Sequence, residues 1–208
     1  MFKVALISVF SLAAFSPVVD AARGISIGLG MEYLPMAKVE FGNPVISRYE
    51  IYDNMSIESG LYYNFDTGFR TGAVVSLFSK SINPGANGNS DISSWGIGVL
   101  GDYEYRISES GSTGLVFGMD AGYGRFKDSN NFSKRTDDSY WAAFFGGIRY
   151  FPGARYFLEL DYRMKWQEFD LVGVPADGIP DKTFKFSGSS LRLSLGYGFF
   201  SHQNSMEN

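Results

Sequence analysis

The feature that most constrains this chain is an alternation of apolar and polar residues with a period of two. Residues 190–200 read S-L-R-L-S-L-G-Y-G-F-F, with Leu191, Leu193, Leu195, Tyr197 and Phe199 on one face. Arg192, Ser194, Gly196 and Gly198 fall on the other. That period belongs to a strand with one greasy and one polar face. The pattern recurs in seven earlier segments, at about 24–33, 55–65, 68–78, 95–107, 113–126, 140–151 and 155–166. Each is near the roughly 9–11 residues that a tilted strand needs to cross a bilayer. In 95–107, Trp95, Ile97, Val99, Tyr103, Tyr105 and Ile107 oppose Gly96, Gly98, Asp102, Glu104 and Arg106. In 155–166, Tyr156, Leu158, Leu160, Tyr162, Met164 and Trp166 oppose Glu159, Asp161, Arg163 and Lys165. In 140–151 both faces are apolar, and the pattern does not say which points where.

Residues 1–21 read as an exported leader rather than as part of the fold. Lys3 supplies the positive start, 4–15 the apolar run, and Val19-Asp20-Ala21 small residues for cleavage. Pro17 and Asp20 cut the run below the roughly 20 residues a spanning helix requires. Residues 22–200 then form one domain, and 201–208 a short tail. The net charge of −4 does not recommend nucleic acid as a partner. With 0 cysteines there is no disulfide framework, thiolate metal site, cysteine nucleophile or N-terminal lipid anchor on a mature cysteine. The 25 glycines, 13 tyrosines and 19 phenylalanines suit a β-barrel better than a helical protein.

The connections carry a second signal. Those at 34–54, 79–94, 127–139 and 167–189 are long, and those at 66–67, 108–112 and 152–154 are short. They alternate along the chain, so an antiparallel barrel gathers the long ones at one rim and the short ones at the other. Short periplasmic turns and long extracellular loops are the bacterial outer-membrane pattern. On strand number, loop asymmetry and the aromatic-ended last strand, the chain resembles the small eight-stranded outer-membrane proteins grouped with OmpA, OmpX and OmpW. The resemblance runs from Gly24 to Phe200. It implies an all-β, eight-stranded antiparallel up-and-down transmembrane barrel in the outer membrane of a Gram-negative cell. It also implies that Leu191, Leu193, Leu195, Tyr197, Phe199 and Phe200 form the signal read by the barrel-assembly machinery. No second, peptidoglycan-binding domain is visible.

With the greasy faces outward, the opposite faces fill an interior only wide enough for side chains. Seven acids (Glu32, Glu58, Asp102, Glu104, Asp120, Glu159, Asp161) then meet six bases (Arg70, Arg106, Arg149, Arg163, Lys165, Arg192). Buried charges persist when paired, so near-balance implies a salt-bridged plug. Gly60, Gly72, Gly98, Gly118 and Gly196 would make room for it. An ion-selective path along the same charges is the sharper alternative. Tyr33, Tyr63, Tyr103, Tyr105, Tyr123, Tyr150, Tyr156, Trp166, Tyr197 and Phe199 sit toward strand ends, as interfacial aromatics do. Gly96-Ile-Gly98-Val-Leu-Gly101 matches a dinucleotide fingerprint, but the strand alternation continues where a helix would be needed. No cofactor is implied, and no metal. Asp128, Asp137, Asp138, Asp177 and Asp181 lack the spacing of a calcium loop and read as solvated loop charges, although they could bridge to lipopolysaccharide through divalent cations.

Three functions remain open. The first is a structural and surface-interaction barrel, its loops at 34–54, 79–94, 127–139 and 167–189 touching lipopolysaccharide or a surface ligand. The second is passage of small apolar molecules, as in the OmpW group, or a narrow porin-like channel. It rests on apolar loop residues expected to be exposed: Leu34, Met36, Val39, Phe41, Val45 and Ile46, and Phe169, Leu171, Val172, Val174 and Ile179. The third is a lipid A-modifying enzyme, for which the sole histidine, His202, would need a positioned serine partner. The reading is of a non-enzymatic monomer surrounded by outer-membrane lipid.

Overall fold

A computed structural model describes residues 24–200 apart from 43, 46, 84–88, 109–111, 131–133, 154 and 174–179. The leader at 1–21 and the tail at 201–208 with His202 lie outside the described residues, as do Ile46, Val174, Asp177 and Ile179. The alternating segments form nine strands: β1 Gly24–Phe41, β2 Ser47–Asn64, β3 Phe69–Ile82, β4 Ser90–Arg106, β5 Thr113–Asn130, β6 Lys134–Tyr150, β7 Tyr156–Leu171, β8 Lys182–Lys185 and β9 Gly188–Phe200. All neighbours pair antiparallel, and β9 returns to β1 from Gly24↔Phe200 to Tyr33↔Leu191, so the sheet closes. β7 pairs with β8 and β9 in a single register, Glu168↔Lys185 and Lys165↔Gly188, so those two strands lie end to end on one stave. Nine strands therefore make an eight-staved, closed antiparallel barrel.

At the short-turn end the links are tight. Gly68 has φ +83, and a Cβ there would meet the Glu104 carbonyl at 2.7 Å, so the 66–68 turn requires glycine. Around the middle of the barrel the apolar side chains point outward. Ile25, Ile27, Leu29 and Met31 of β1 are exposed, while Ser26 among them and Glu32 just beyond are buried. Aromatics ring this apolar belt at both ends, with Tyr63, Tyr105, Tyr150, Tyr156 and Phe199 below and Tyr33, Trp95, Tyr123, Tyr140 and Trp166 above. Leu191, Leu193, Leu195 and Phe199 are exposed on the belt, and Phe200 pairs through its backbone with Gly24.

The long connections are corrected. Residues 34–41, 47–54, 79–82, 90–94, 127–130, 134–139, 167–171 and 182–185 are strand. The staves thus continue well beyond the belt. As they do, their pairing parts at two seams. β2 and β3 pair no higher than Ser56↔Phe78, and β6 and β7 no higher than Trp141↔Gln167. Above the seams stand two small sheets, one from β2, β1, β8 and β7, the other from β3, β4, β5 and β6.

Between those sheets the polarity inverts. Leu34, Ala37, Val39, Ile51, Ile82, Ile92, Phe126, Phe169, Leu171, Phe184 and Phe186 form a buried apolar core. Phe126 lies at its centre, with ring centroids 4.9 Å from Phe169 and 4.6 Å from Phe184. The apolar residues expected on exposed loops are therefore largely buried, with Phe41 packed at the core's margin; Val45 and Val172 are exposed. On β1 and β2 the inversion requires a change of parity. Inward positions are even up to Leu34 and down to Asn54, and odd at Ala37, Val39 and Ile51. The change occurs at Pro35, which cannot donate to a ladder, and opposite it at Asp53, whose φ is +55. Asn54 Nδ2 donates to the Ile51 carbonyl at 2.8 Å and the Leu34 carbonyl at 3.2 Å, satisfying groups that the double bulge leaves unpaired.

Candidate functional site: a charged lumen beneath an apolar cap

Each stave contributes charge to the lumen because its inward face is its polar face. Glu32 comes from β1, Glu58 from β2, Arg70 from β3, Asp102, Glu104 and Arg106 from β4, and Asp120 from β5. Arg149 comes from β6, Glu159, Asp161, Arg163 and Lys165 from β7, and Arg192 from β9. The structure brings all of these into one ion-pair lattice. Glu159 is its hub. It accepts from Arg149 Nε at 2.7 Å, Arg192 Nη2 at 2.9 Å and Arg70 Nη2 at 3.1 Å.

Toward the short-turn end, Arg70 Nε donates to Asp102 at 2.7 Å and Arg149 Nη1 to Glu104 at 2.8 Å. Arg106 Nε closes that end on Glu104 at 2.8 Å. Toward the other end, Arg192 reaches Asp161 at 2.8 Å and Glu58 at 2.5 Å. Arg163 bonds Glu58 at 3.1 Å and also Asp120, which takes a further bond from Trp141 Nε1 at 2.8 Å. Lys165 stands 3.5 Å from Glu32, whose other oxygen accepts from Ser190 at 2.6 Å. Such a lattice offsets the desolvation of its charges only through this density of partners.

Sequence pattern missed the rings that share the lumen. Tyr62, Val74, Leu100, Val116, Trp141 and Phe145 form a second apolar cluster beside the charges. The ambiguous sixth segment resolves with Trp141, Ala143 and Phe145 inward and Tyr140, Phe144 and Ile148 outward. The glycines make room mainly for these rings. A Cβ at Gly98 or Gly122 would meet Trp141 at 2.7 or 2.3 Å, and one at Gly60 or Gly196 would overlap Tyr62 or Phe157. The G-x-G-x-x-G run is thus a ring-packing device, and its glycines were the available signal for an inward aromatic. Guanidinium planes lie against ring faces, Arg70 4.4 Å from Tyr62 and Arg192 5.0 Å from Phe145.

Above the lattice the cap closes the other end. Between the two layers remains a cavity of about 40 Å³ lined by Glu32, Asn54, Ser56, Ser76, Lys165 and Gln167, with Leu34, Phe78 and Phe186 as its apolar lining. At roughly 10–15 Å³ per water, it holds a few waters and no organic solute. The cap has its own ion pair, Lys182 to Asp128 at 2.8 Å. Asp128 is buried and takes a Ser90 hydroxyl, so it is not the solvated loop charge expected. Of the other loop acids, Asp137 accepts from the Asp170 amide at 2.7 Å, Asp138 from Arg125 at 2.7 Å, and Asp181 from the Gly173 amide at 2.6 Å. Among the described residues no group of three or more His, Cys, Asp or Glu is placed to hold a metal.

The two seams are laced differently. Arg135 Nη1 spans the β6–β7 seam to the Leu171, Val172 and Pro180 carbonyls at 3.1–3.4 Å. The β2–β3 seam is crossed by Lys80, whose ammonium takes the Tyr52 and Asp53 carbonyls. The outer face of the cap is polar. There Lys185 lies 2.9 Å and Arg48 3.0 Å from Glu40. The bond from Lys185 holds the Glu40 carboxyl below its ordinary range, and Glu40 in turn raises Lys185.

No protein-family model matches the chain, and no curated protein matches it in sequence. Its architecture does match solved barrels. Neisserial surface protein A superposes at a TM-score of 0.58 and 13% identity, covering 86% of this chain and 99% of that one. Ail, the attachment invasion locus protein of Yersinia pestis, gives 0.52 at 14% identity, over 86% of this chain and 100% of its own. The outer membrane protein OprG of Pseudomonas aeruginosa gives 0.62 at 14% identity, over 88% and 98%. The fold is that of the small eight-stranded outer-membrane barrels.

Proposed function

We propose that this chain is a closed barrel of the bacterial outer membrane whose work is done on its surface, by a rigid two-sheet extension standing above the lipid. One observation carries the reading. Two seals lie in series along the barrel axis, the arginine–carboxylate lattice and the phenylalanine-rich cap, while the outer face of the cap is charged and polar. A conduit gains nothing from such a cap. A platform does, because packed strands hold surface side chains in fixed places better than loops do. Lipopolysaccharide or a cell-surface ligand would meet the face carrying Lys38, Glu40, Arg48, Glu50 and Lys185. The names of two neighbours, a surface protein and an attachment invasion locus protein, agree with testing this first.

The test expresses the protein in an outer membrane that lacks it and compares cell or lipopolysaccharide binding with a variant carrying serine at those five positions. The expected result is lost binding with an unchanged heat-modifiable band on gels. Equal binding by the variant would remove the platform reading.

A second reading, passage of small apolar molecules, is favoured by the β2–β3 seam. The inner cavity and a furrow on the outer wall share Phe78, Ser94 and Trp95, so one phenylalanine and its neighbours separate them. Uptake of a small apolar solute into liposomes, abolished by Phe78→Trp, would support it. Uptake no faster than in empty liposomes would exclude it.

A further inference from the structure

Where β2 and β3 part, the outer wall is creased by a furrow of about 730 Å³. Cross-strand pairing orders its walls into two rows. The lower row runs Met31–Ile57–Leu77–Trp95–Arg125 across β1 to β5. The row above runs Ser79–Ser93–Lys127–Thr136 across β3 to β6. Directly opposed residues on one face of a sheet stand about 4.5–5.5 Å apart at Cβ. An ammonium flanked by hydroxyls therefore sits one step above Arg125 and beside the strip of hydrocarbon that runs from Trp95 to Met31, at the level where Trp95 marks the edge of the apolar belt.

The charges around this patch are unevenly committed. Arg125 donates to both oxygens of Asp138, at 2.7 and 2.9 Å. Asp91, one row higher, accepts the Ser81 hydroxyl at 2.5 Å. Lys127 has no carboxylate within ion-pair distance among the described residues, although it is half-buried. An unpaired ammonium with hydroxyl neighbours selects an anion rich in acceptor oxygens. The exposed side chains of Met31, Ile57 and Leu77 select a hydrocarbon chain attached to it.

We propose that the row Ser79–Ser93–Lys127–Thr136, with Arg125 at its edge, is the headgroup site of a phosphorylated lipid of the surrounding leaflet, whose acyl chain lies in the furrow along Leu77, Ile57 and Met31. The site rests on the membrane placement given above, but not on the surface-platform or passage readings. A free phosphate would leave the apolar row uncovered, and a soluble protein cannot reach a floor set at the level of the lipid.

The probe is dioleoylphosphatidic acid, doped into nanodiscs of dioleoylphosphatidylcholine that hold the folded barrel, with protein-retained lipid read by native mass spectrometry. Phosphatidic acid should be retained over phosphatidylcholine. Lys127→Gln should lower that preference about tenfold, the scale of one charge-assisted contact. Ser93→Ala with Thr136→Ala keeps net charge and should lower it by a few-fold, on the order of one or two neutral hydrogen bonds. Arg155→Gln removes the same charge from the short-turn rim, where Arg155 is exposed and donates to the Tyr197 hydroxyl at 3.0 Å, and should change nothing. Equal retention by wild type and Lys127→Gln would overturn the site. So would equal loss in Arg155→Gln, no preference over phosphatidylcholine, or displacement by inorganic phosphate. Failure of the wild-type barrel to enter nanodiscs would instead overturn the membrane placement, and this site with it.

Discussion

Glu159 holds three guanidinium groups on one carboxylate, and all four side chains are almost wholly buried. Removing it leaves Arg70, Arg149 and Arg192 short of an acceptor in a site that water cannot freely enter. Glu159→Ala is expected to cost on the order of 3–5 kcal/mol, the scale for breaking a buried pair from one side. One step along β7 the physics changes sign. Leu160 is 53% exposed and lies near the middle of the outward apolar run from Tyr156 to Trp166. Leu160→Arg should cost about 2–4 kcal/mol if hydrocarbon surrounds it, whereas Leu160→Ala should cost far less. Denaturant unfolding in phospholipid vesicles, followed by tryptophan fluorescence, measures all three. A harmless Leu160→Arg would mean that this face does not meet lipid.

At the scale of the strand, the period of two made the inward acids and bases readable, since Glu159, Asp161, Arg163 and Lys165 alternate with apolar neighbours. It failed where both faces are apolar, as at Tyr140-Trp141, where only the glycines opposite Trp141 tell which ring turns in. It failed again above the belt for a different reason. Pro35 and Asp53-Asn54 look like the beginnings of loops, yet they are bulges through which β1 and β2 change parity and continue. Beyond them the alternation persists with its sense reversed, apolar Ala37 and Val39 inward against Lys38 and Glu40. A strand that leaves lipid for water must invert in this way, because its outer face then meets solvent. The cap should accordingly behave as its own cooperative unit. Phe126→Ala is expected to cost about 3–5 kcal/mol of cap stability by leaving a cavity among Phe169, Phe184 and Phe186. Hydrogen exchange would show it as lost protection in 36–41, 90–94, 125–130 and 168–171, with the belt amides unchanged. Loss spread evenly through the belt would mean that cap and barrel unfold together.

For the molecule as a whole, the two seals make a prediction that neither makes alone. Resistances in series are governed by the larger, so lifting one barrier leaves the path closed. The lattice reaches from Arg106 and Glu104 at the short-turn end to Lys165 and Glu32 beneath the cavity, and eight staves leave no annulus around it. Wild-type protein in planar bilayers is therefore expected to show no sustained conductance steps. Phe126→Ala with Phe184→Ala hollows the cap, yet current must still cross the lattice, so this variant should remain silent. Glu159→Ala with Arg192→Ala removes an acid and a base together, so the net charge of the lumen is unchanged. It thins the lattice at its hub while the cap stays packed, and should also remain silent. Only the fourfold variant removes material from both barriers, and it should conduct, with currents falling as salt concentration falls. Steady conductance from the cap variant alone would show that the lattice is not a seal, and would favour passage through the barrel. Conductance from the lattice variant alone would assign the seal to the charges and leave the cap as a surface platform only. Each variant should first be matched to wild type by its heat-modifiable band, because a misfolded barrel also perturbs a bilayer.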